Sequence, residues 1–274
     1  MKITKDTQLC MSLAARPGNF GTLFQNYLYN QLHLDFIYKA FTTQQLKEAI
    51  GGIRALGIRG CAISMPFKEE VIPLLDQLDH SASTIQSVNT IVNTEGKLRG
   101  YNTDYLAIEQ LLIREEIDPT SRFALRGNGG MAKAVLAALA NNGFTNGVLV
   151  VRNAEAGKKL GEQYNYPYQL DSEPIEADLL INATPLGMSG GDEAKTLSFP
   201  IEAITNAEVL FDVVALPSKT PLVLEGVKLN KKIISGAEVA LIQSLEQFVL
   251  YTGVRPSLEL IEEAREYTLR ELNK

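Results

Sequence analysis

Apolar residues in the first hundred positions fall in short runs separated by stretches of helical spacing. Residues 8–13, 36–41 and 60–65 have the length and composition of buried strands. Between them, residues 21–32 and 44–56 repeat apolar positions three and four apart, as an amphipathic helix does. Thr42 and Gln45 have capping-box spacing before the second of these. A third helix is predicted from about Lys68 to Leu78. Residues 88–92 and 97–101, joined across Glu95-Gly96, predict a hairpin. This pattern predicts a mostly parallel sheet with an antiparallel addition.

From Phe123 the alternation restarts. Strands are predicted at 123–126, 148–152, 178–182, 209–214 and 232–235, and two long helical patterns follow at 237–251 and 257–272, split by Gly253 and Pro256. Helices of that length need an apolar surface to cover, and the first sheet supplies one. The expected organisation is an α/β protein of two domains: residues 1–103 plus 237–274 form one, and residues 104–236 form a Rossmann domain inserted into it.

The most informative segment opens the second domain. Arg122-Phe-Ala-Leu-Arg-Gly127-Asn128-Gly129-Gly130-Met-Ala132 reads as a strand and a glycine turn, and an alanine-rich helix follows to Ala140. Gly127 permits the tight turn, Gly129 lets backbone approach a pyrophosphate, and Ala132 permits close helix–strand packing. The free N–H groups at the helix start favour an anion. A dinucleotide site is expected here. About 25 residues on, where an NAD site normally places a carboxylate for the ribose 2′-OH, the chain has Arg152, with Lys158 and Lys159 close behind. A guanidinium pairs with a 2′-phosphate in two-pronged fashion, so NADP is the expected cofactor.

Composition narrows the classes. The 274 residues are 45% hydrophobic and 21% charged, as in a globular protein. No apolar run reaches ~18 residues, so no membrane span is expected. The net charge of −6 argues against a non-specific nucleic-acid surface. The first residues, Met-Lys-Ile-Thr-Lys-Asp, carry no signal-like apolar region, and Cys10 and Cys61 sit in strand-like runs as reduced core residues. A cytoplasmic location is expected. His33 and His80 stand alone, and no spacing predicts a metal site.

Three strings in the first half are polar where a structural strand end need not be. They are Ser64-Met-Pro-Phe-Lys68, Val88-Asn89-Thr90 and Gly100-Tyr-Asn-Thr-Asp104. A lysine at the start of the predicted third helix faces the unfavourable end of the macrodipole, which points to a role other than helix formation.

With these strings in view, the chain resembles the shikimate dehydrogenase family over nearly its full length. The glycine loop, Arg152, Asn182-Ala-Thr184-Pro-Leu-Gly187-Met188, Asp212-Val-Val, Thr220-Pro-Leu, Gly236 and Gln243-Ser-Leu-Glu-Gln-Phe248 all fit in order. The resemblance implies reversible hydride transfer between NADPH and the ketone of 3-dehydroshikimate. It implies Lys68 and Asp104 as the catalytic pair, with Ser12, Ser64, Asn89 and Gln243 on the substrate. It places Gly127, Asn128, Gly129 and Gly130 on the pyrophosphate, Arg152 on the 2′-phosphate, and Thr184, Gly187, Met188 and Gly236 around the rest of the cofactor. The first domain would then hold the substrate and the inserted one NADP. A small hydroxy acid is the expected partner, with no nucleic acid and no membrane, in a monomer or homodimer. Because a free lysine titrates near ~10.4, Lys68 would be a ready acid, suited to the reductive direction.

The departures cluster on the substrate side. The family's second N-terminal serine is Ala14 here, and losing one hydrogen bond to a charged group costs about 1.5–3 kcal/mol. Arg16, Asn19 and Thr22 are candidates to replace it; a solvated loop is the alternative. Ala62, Ser64, Ala215, Gln25 and Arg126 also differ from the usual pattern. The expectation is a divergent member, with quinate, both acids or another related substrate as the alternative.

Overall fold

The computed structural model describes residues 2–272; Met1, Asn273 and Lys274, at the outer limits of the first expected domain, lie outside them. The chain divides into two compact units, Met1–Thr103 with Leu241–Lys274, and Asp104–Ala240.

The first unit contains β1 (Gln8–Leu13), α1 (Phe20–Gln31), β2 (Phe36–Phe41), α2 (Leu46–Ala55), β3 (Gly60–Ile63), β4 (Gln77–Leu78), α3 (His80–Ile85), β5 (Thr90–Thr94) and β6 (Lys97–Tyr101). The strands form one sheet in the order β2-β1-β3-β5-β6-β4. β1 pairs in parallel with β2 and β3, while β5 runs antiparallel to β3 and β6. The mostly parallel sheet with an antiparallel addition is what the hydrophobic pattern predicts. Glu95 and Gly96 both have positive φ, 52° and 81°, as a two-residue hairpin turn of the primed type requires.

Alternation along β1 sends Met11 and Leu13 into a core with Ile50, Ile53 and Ile63, and Cys10 into another with Phe24, Leu28, Tyr29, Phe248 and Tyr251. Phe248 and Tyr251 lie on α9 (Gly236–Thr252), within which the unit boundary falls; α10 is Leu258–Leu272. A Cβ at Gly60 would lie 2.2 Å from the Tyr251 ring, so only glycine lets this helix rest on the sheet. Burial pushes the Cys10 thiol up to about 12, so it packs as an inert apolar group.

The second unit contains α4 (Thr103–Arg114, from its second residue), β7 (Phe123–Arg126), α5 (Gly130–Asn141), β8 (Gly147–Val151), α6 (Ala154–Tyr164), β9 (Tyr168–Leu170), β10 (Leu179–Asn182), α7 (Ile201–Asn206), β11 (Val209–Asp212), α8 (Pro221–Lys228) and β12 (Lys232–Ser235). Its sheet has the order β12-β11-β10-β7-β8-β9, parallel throughout. This is the doubly wound order of a dinucleotide-binding fold, and its order reverses between β7 and β10.

Two local expectations are corrected. No α-helix spans Lys68 to Leu78: the segment is a turn, a short 3-10 stretch at Ile72–Leu74 and then β4. Pro73 cannot donate within a helix, and the Asp76 carboxylate accepts from Leu98 N and Arg54, drawing the chain beside β6. Lys68 therefore lies in a turn and faces no helix macrodipole. The α-helix begins later, where Asp79 caps it through Ser81 N. Nor do Thr42 and Gln45 form a capping box; Thr42 Oγ1 donates to Ala15 O, and Thr43 Oγ1 accepts from Gln45 N.

Among the described residues no helix is long and apolar enough to cross a membrane, and no cluster of His, Cys, Asp or Glu could hold a metal ion.

Candidate functional site

In the first unit, register carries the predicted residues to one end of the sheet. Ser12 sits opposite Ala40 on β2 and Ala62 on β3, and Ala62 in turn faces Thr90 on β5. Beyond that row, Ser64 N donates to Leu13 O and Ile63 N to Asn89 O. Ser12, Ser64 and Asn89 are thus brought together where the parallel strands end, the usual ligand end of an α/β sheet. Lys68 joins them: its carbonyl accepts from Val88 N at 2.8 Å, after a turn that contains the cis Met65-Pro66 bond.

Asn89 is fully buried and held from several sides. Its Oδ1 accepts from Thr103 N at 2.8 Å and from Thr90 Oγ1 at 2.8 Å, and its Nδ2 donates to Thr103 Oγ1 at 3.0 Å. Gln247, present in the Gln243–Phe248 string but given no role there, donates from Nε2 to Thr90 Oγ1 at 3.1 Å. Gln243 lies one turn earlier on the same face of α9 and is half-buried. The amide of Asn89 is fixed with its acceptor oxygen engaged. Asp104 follows directly on Thr103, in the first turn of α4, and is buried.

In the second unit, Gly127 leaves β7 with φ +129°, and a Cβ there would lie 2.7 Å from Ala183 O. Gly127 therefore lets β7 and the turn after β10 approach at the switch point. Asn128 and Gly129 are exposed, and Gly129 caps α5 with no side-chain bond and no acidic residue in the first turn. Nothing lies within 4 Å of a Cβ at Gly129. A bound anion would find backbone donors and no competing carboxylate on this turn, which suits a pyrophosphate.

The loop after β10 is built on a buried carboxylate. Asp212 Oδ1 accepts from Asn182 Nδ2 at 2.9 Å and from Val214 N at 3.1 Å, while Oδ2 accepts from Thr220 Oγ1 at 2.5 Å. Asn182 Oδ1 in turn accepts from Thr184 N and Oγ1, and Thr184 Oγ1 accepts from Leu186 N. Thr184 is placed by this relay, while Gly187 N donates to Glu193 O and Met188 N to Pro185 O. Burial raises the Asp212 carboxyl above its ordinary value, against the three hydrogen bonds that lower it. Gly236 follows β12, where a Cβ would lie 2.3 Å from the Val214 carbonyl.

Arg152 follows β8 and is largely exposed, its Nη1 3.9 Å from Glu193 Oε1. Arg126, the unusual charge at the end of β7, is used structurally: Nη2 donates to Asp171 at 2.8 Å and Nη1 to Ser198 O. Near the absent second serine, Ala14 is buried and Arg16 exposed. Asn19 precedes α1 without a side-chain cap bond, and the Thr22 hydroxyl is buried.

Residues 21–91 match the model of the shikimate dehydrogenase substrate binding domain. A shikimate dehydrogenase-like protein of Haemophilus influenzae is 54% identical over 262 residues, which are 96% of this chain and 97% of that protein. The chain belongs to the shikimate dehydrogenase family. A shikimate dehydrogenase (NADP(+)) of Halothermothrix orenii is 34% identical over 251 residues, 85% of this chain and 86% of the other. The solved structure of a shikimate 5-dehydrogenase-like protein superposes with a TM-score of 0.94 at 53% identity, covering 98% of this chain and 100% of that one.

Proposed function

We propose that the chain is an NADP-dependent oxidoreductase that interconverts 3-dehydroshikimate and shikimate. The observation that carries the reading is the gathering of Ser12, Ser64, Lys68 and Asn89 at the ligand end of the first unit's sheet, with Gln243 on the adjoining helix face. The name of the Halothermothrix relative supports the cofactor. So do the glycine turn, the uncapped start of α5 and the exposed guanidinium of Arg152.

In this reading the first unit binds the hydroxy acid and the second the dinucleotide. Backbone N–H groups at Gly129 and Gly130 hold the pyrophosphate, Arg152 holds the 2′-phosphate, and Thr184, Gly187 and Met188 orient the nicotinamide end. The bound nicotinamide supplies or accepts hydride at its C4. Lys68 would donate a proton to the substrate's ketone oxygen in the reductive direction and take one from the resulting hydroxyl in the oxidative direction. In this reading Asp104 is the other member of the catalytic pair. Ser12 and Ser64 hold the carboxylate side, and the Asn89 and Gln243 amides meet ring hydroxyls.

Quinate is the second reading, favoured by the missing hydroxyl at Ala14 and the small side chain at Ala215. Initial rates of NADPH formation with shikimate and with quinate, each repeated with NAD, separate the two. The first reading expects the highest kcat/KM for shikimate with NADP. A higher value for quinate moves the assignment to the second, and turnover of neither acid removes both.

A further inference from the structure

Arg152 already has a counter-ion. The Glu193 carboxylate stands 3.9 Å from its guanidinium, too far for a hydrogen bond but close enough to be the nearest opposite charge. Glu193 is not a stray loop residue. Its carbonyl accepts from Gly187 N at 2.9 Å and from Thr196 N at 3.0 Å, so its backbone is tied to the segment that follows Thr184. Between these ties the chain turns through Gly190, at φ +84°, and Gly191, where a Cβ would meet nothing within 4 Å. The loop therefore delivers an acidic side chain to the cation that the proposed function assigns to the 2′-phosphate.

We propose that Glu193 sets how strongly the site prefers NADP over NAD, by competing with the 2′-phosphate for Arg152. This rests on the dinucleotide reading of the second unit. A 2′-phosphate on Arg152 carries nearly two negative charges and would come within a few ångströms of a carboxylate whose backbone is held in place. Both side chains are substantially exposed, 79% for Arg152 and 48% for Glu193, so water and salt weaken the repulsion without abolishing it. A 2′-hydroxyl brings no such charge and can donate to the same carboxylate. Glu193 thus penalises NADP and tolerates NAD, and Arg152 does the reverse.

The test is binding, free of turnover. NADPH, NADH and the fragment 2′,5′-ADP are titrated against the unsubstituted chain and Glu193→Gln, at low salt and at about 0.5 M salt. Glu193→Gln is expected to tighten NADPH and 2′,5′-ADP roughly three- to tenfold at low salt while NADH changes less than twofold, and high salt should shrink the difference. Unchanged affinity for the two phosphorylated ligands, or an equal change for NADH, overturns the proposal. Saturable binding of neither nucleotide to the unsubstituted chain would overturn the dinucleotide site itself, and the proposal with it.

Discussion

Replacing Asp212 with alanine tests how the second unit builds its ligand loop. The carboxylate is 1% exposed and receives Asn182 Nδ2, Val214 N and Thr220 Oγ1. Asn182 Nδ2 keeps a second acceptor in Leu186 O, at 3.2 Å. The Val214 N–H and the Thr220 hydroxyl lose their partner outright. A buried donor left unpaired costs about 1–3 kcal/mol, so the two together cost about 2–6 kcal/mol. Relief of the carboxylate's own desolvation offsets part of this. The net expectation is about 2–5 kcal/mol, a large share of a typical domain's stability. In a thermal melt that is roughly 5–15 °C. Because Asn182 also holds Thr184, NADPH affinity should fall as well. Asp212→Asn keeps the shape and one acceptor oxygen and should cost much less. The pH dependence has a definite sign. Burial raises the folded-state carboxyl above its ordinary 3.8, so the stability contributed by protonated Asp212 is complete below that value and is lost as pH rises through the raised one. Relative to Asp212→Asn, the unsubstituted chain should therefore lose ground as pH rises through that window. Denaturant or thermal melts across pH, with NADPH titrations alongside, read all of this. Asp212→Ala within about 1 kcal/mol of the parent, with normal NADPH affinity, would refute the reasoning.

Three further outcomes are expected. Lys68→Ala should lower kcat by about 10²–10⁴-fold while NADPH binding and melting stay near normal; a near-normal rate removes Lys68 from proton transfer. Gly127→Ala places a Cβ 2.7 Å from Ala183 O at a φ few side chains adopt, and should abolish saturable NADPH binding; retained binding would contradict the close approach drawn for this turn. Arg152→Ala should weaken NADPH about tenfold or more with little effect on NADH, and equal effects on both would sink the 2′-phosphate assignment.

Much of the fold was legible because its central strands, such as β5, β7 and β10, are short apolar runs buried on both faces, where pattern and structure agree within a residue or two. The glycine turn was legible too, since Gly127 carries its conformational requirement locally. What escaped has a common physical cause: it depends on partners far along the chain. The Lys68–Leu78 helix fails because Asp76 is claimed by Leu98 and Arg54, although Pro73 was a local warning. Arg126 looked anomalous until Asp171 and Ser198 supplied its acceptors. Gln247 stands in the Gln243–Phe248 string without a role of its own, and Glu193 in no string; only tertiary contacts bring one to Thr90 and the other to Arg152. β9 is a three-residue edge strand with Tyr168 and Leu170 exposed, too short for any periodicity to announce.

Hydride transfer between a ring alcohol and a nicotinamide is tested by incubating the protein with NADP and shikimate deuterated at the carbon that bears the reacting hydroxyl, then analysing the reduced cofactor by mass spectrometry. Each reduced nicotinamide should carry one deuterium, and Lys68→Ala should nearly abolish its formation. Reduced cofactor without the label, or none at all from the unsubstituted chain, would contradict that transfer.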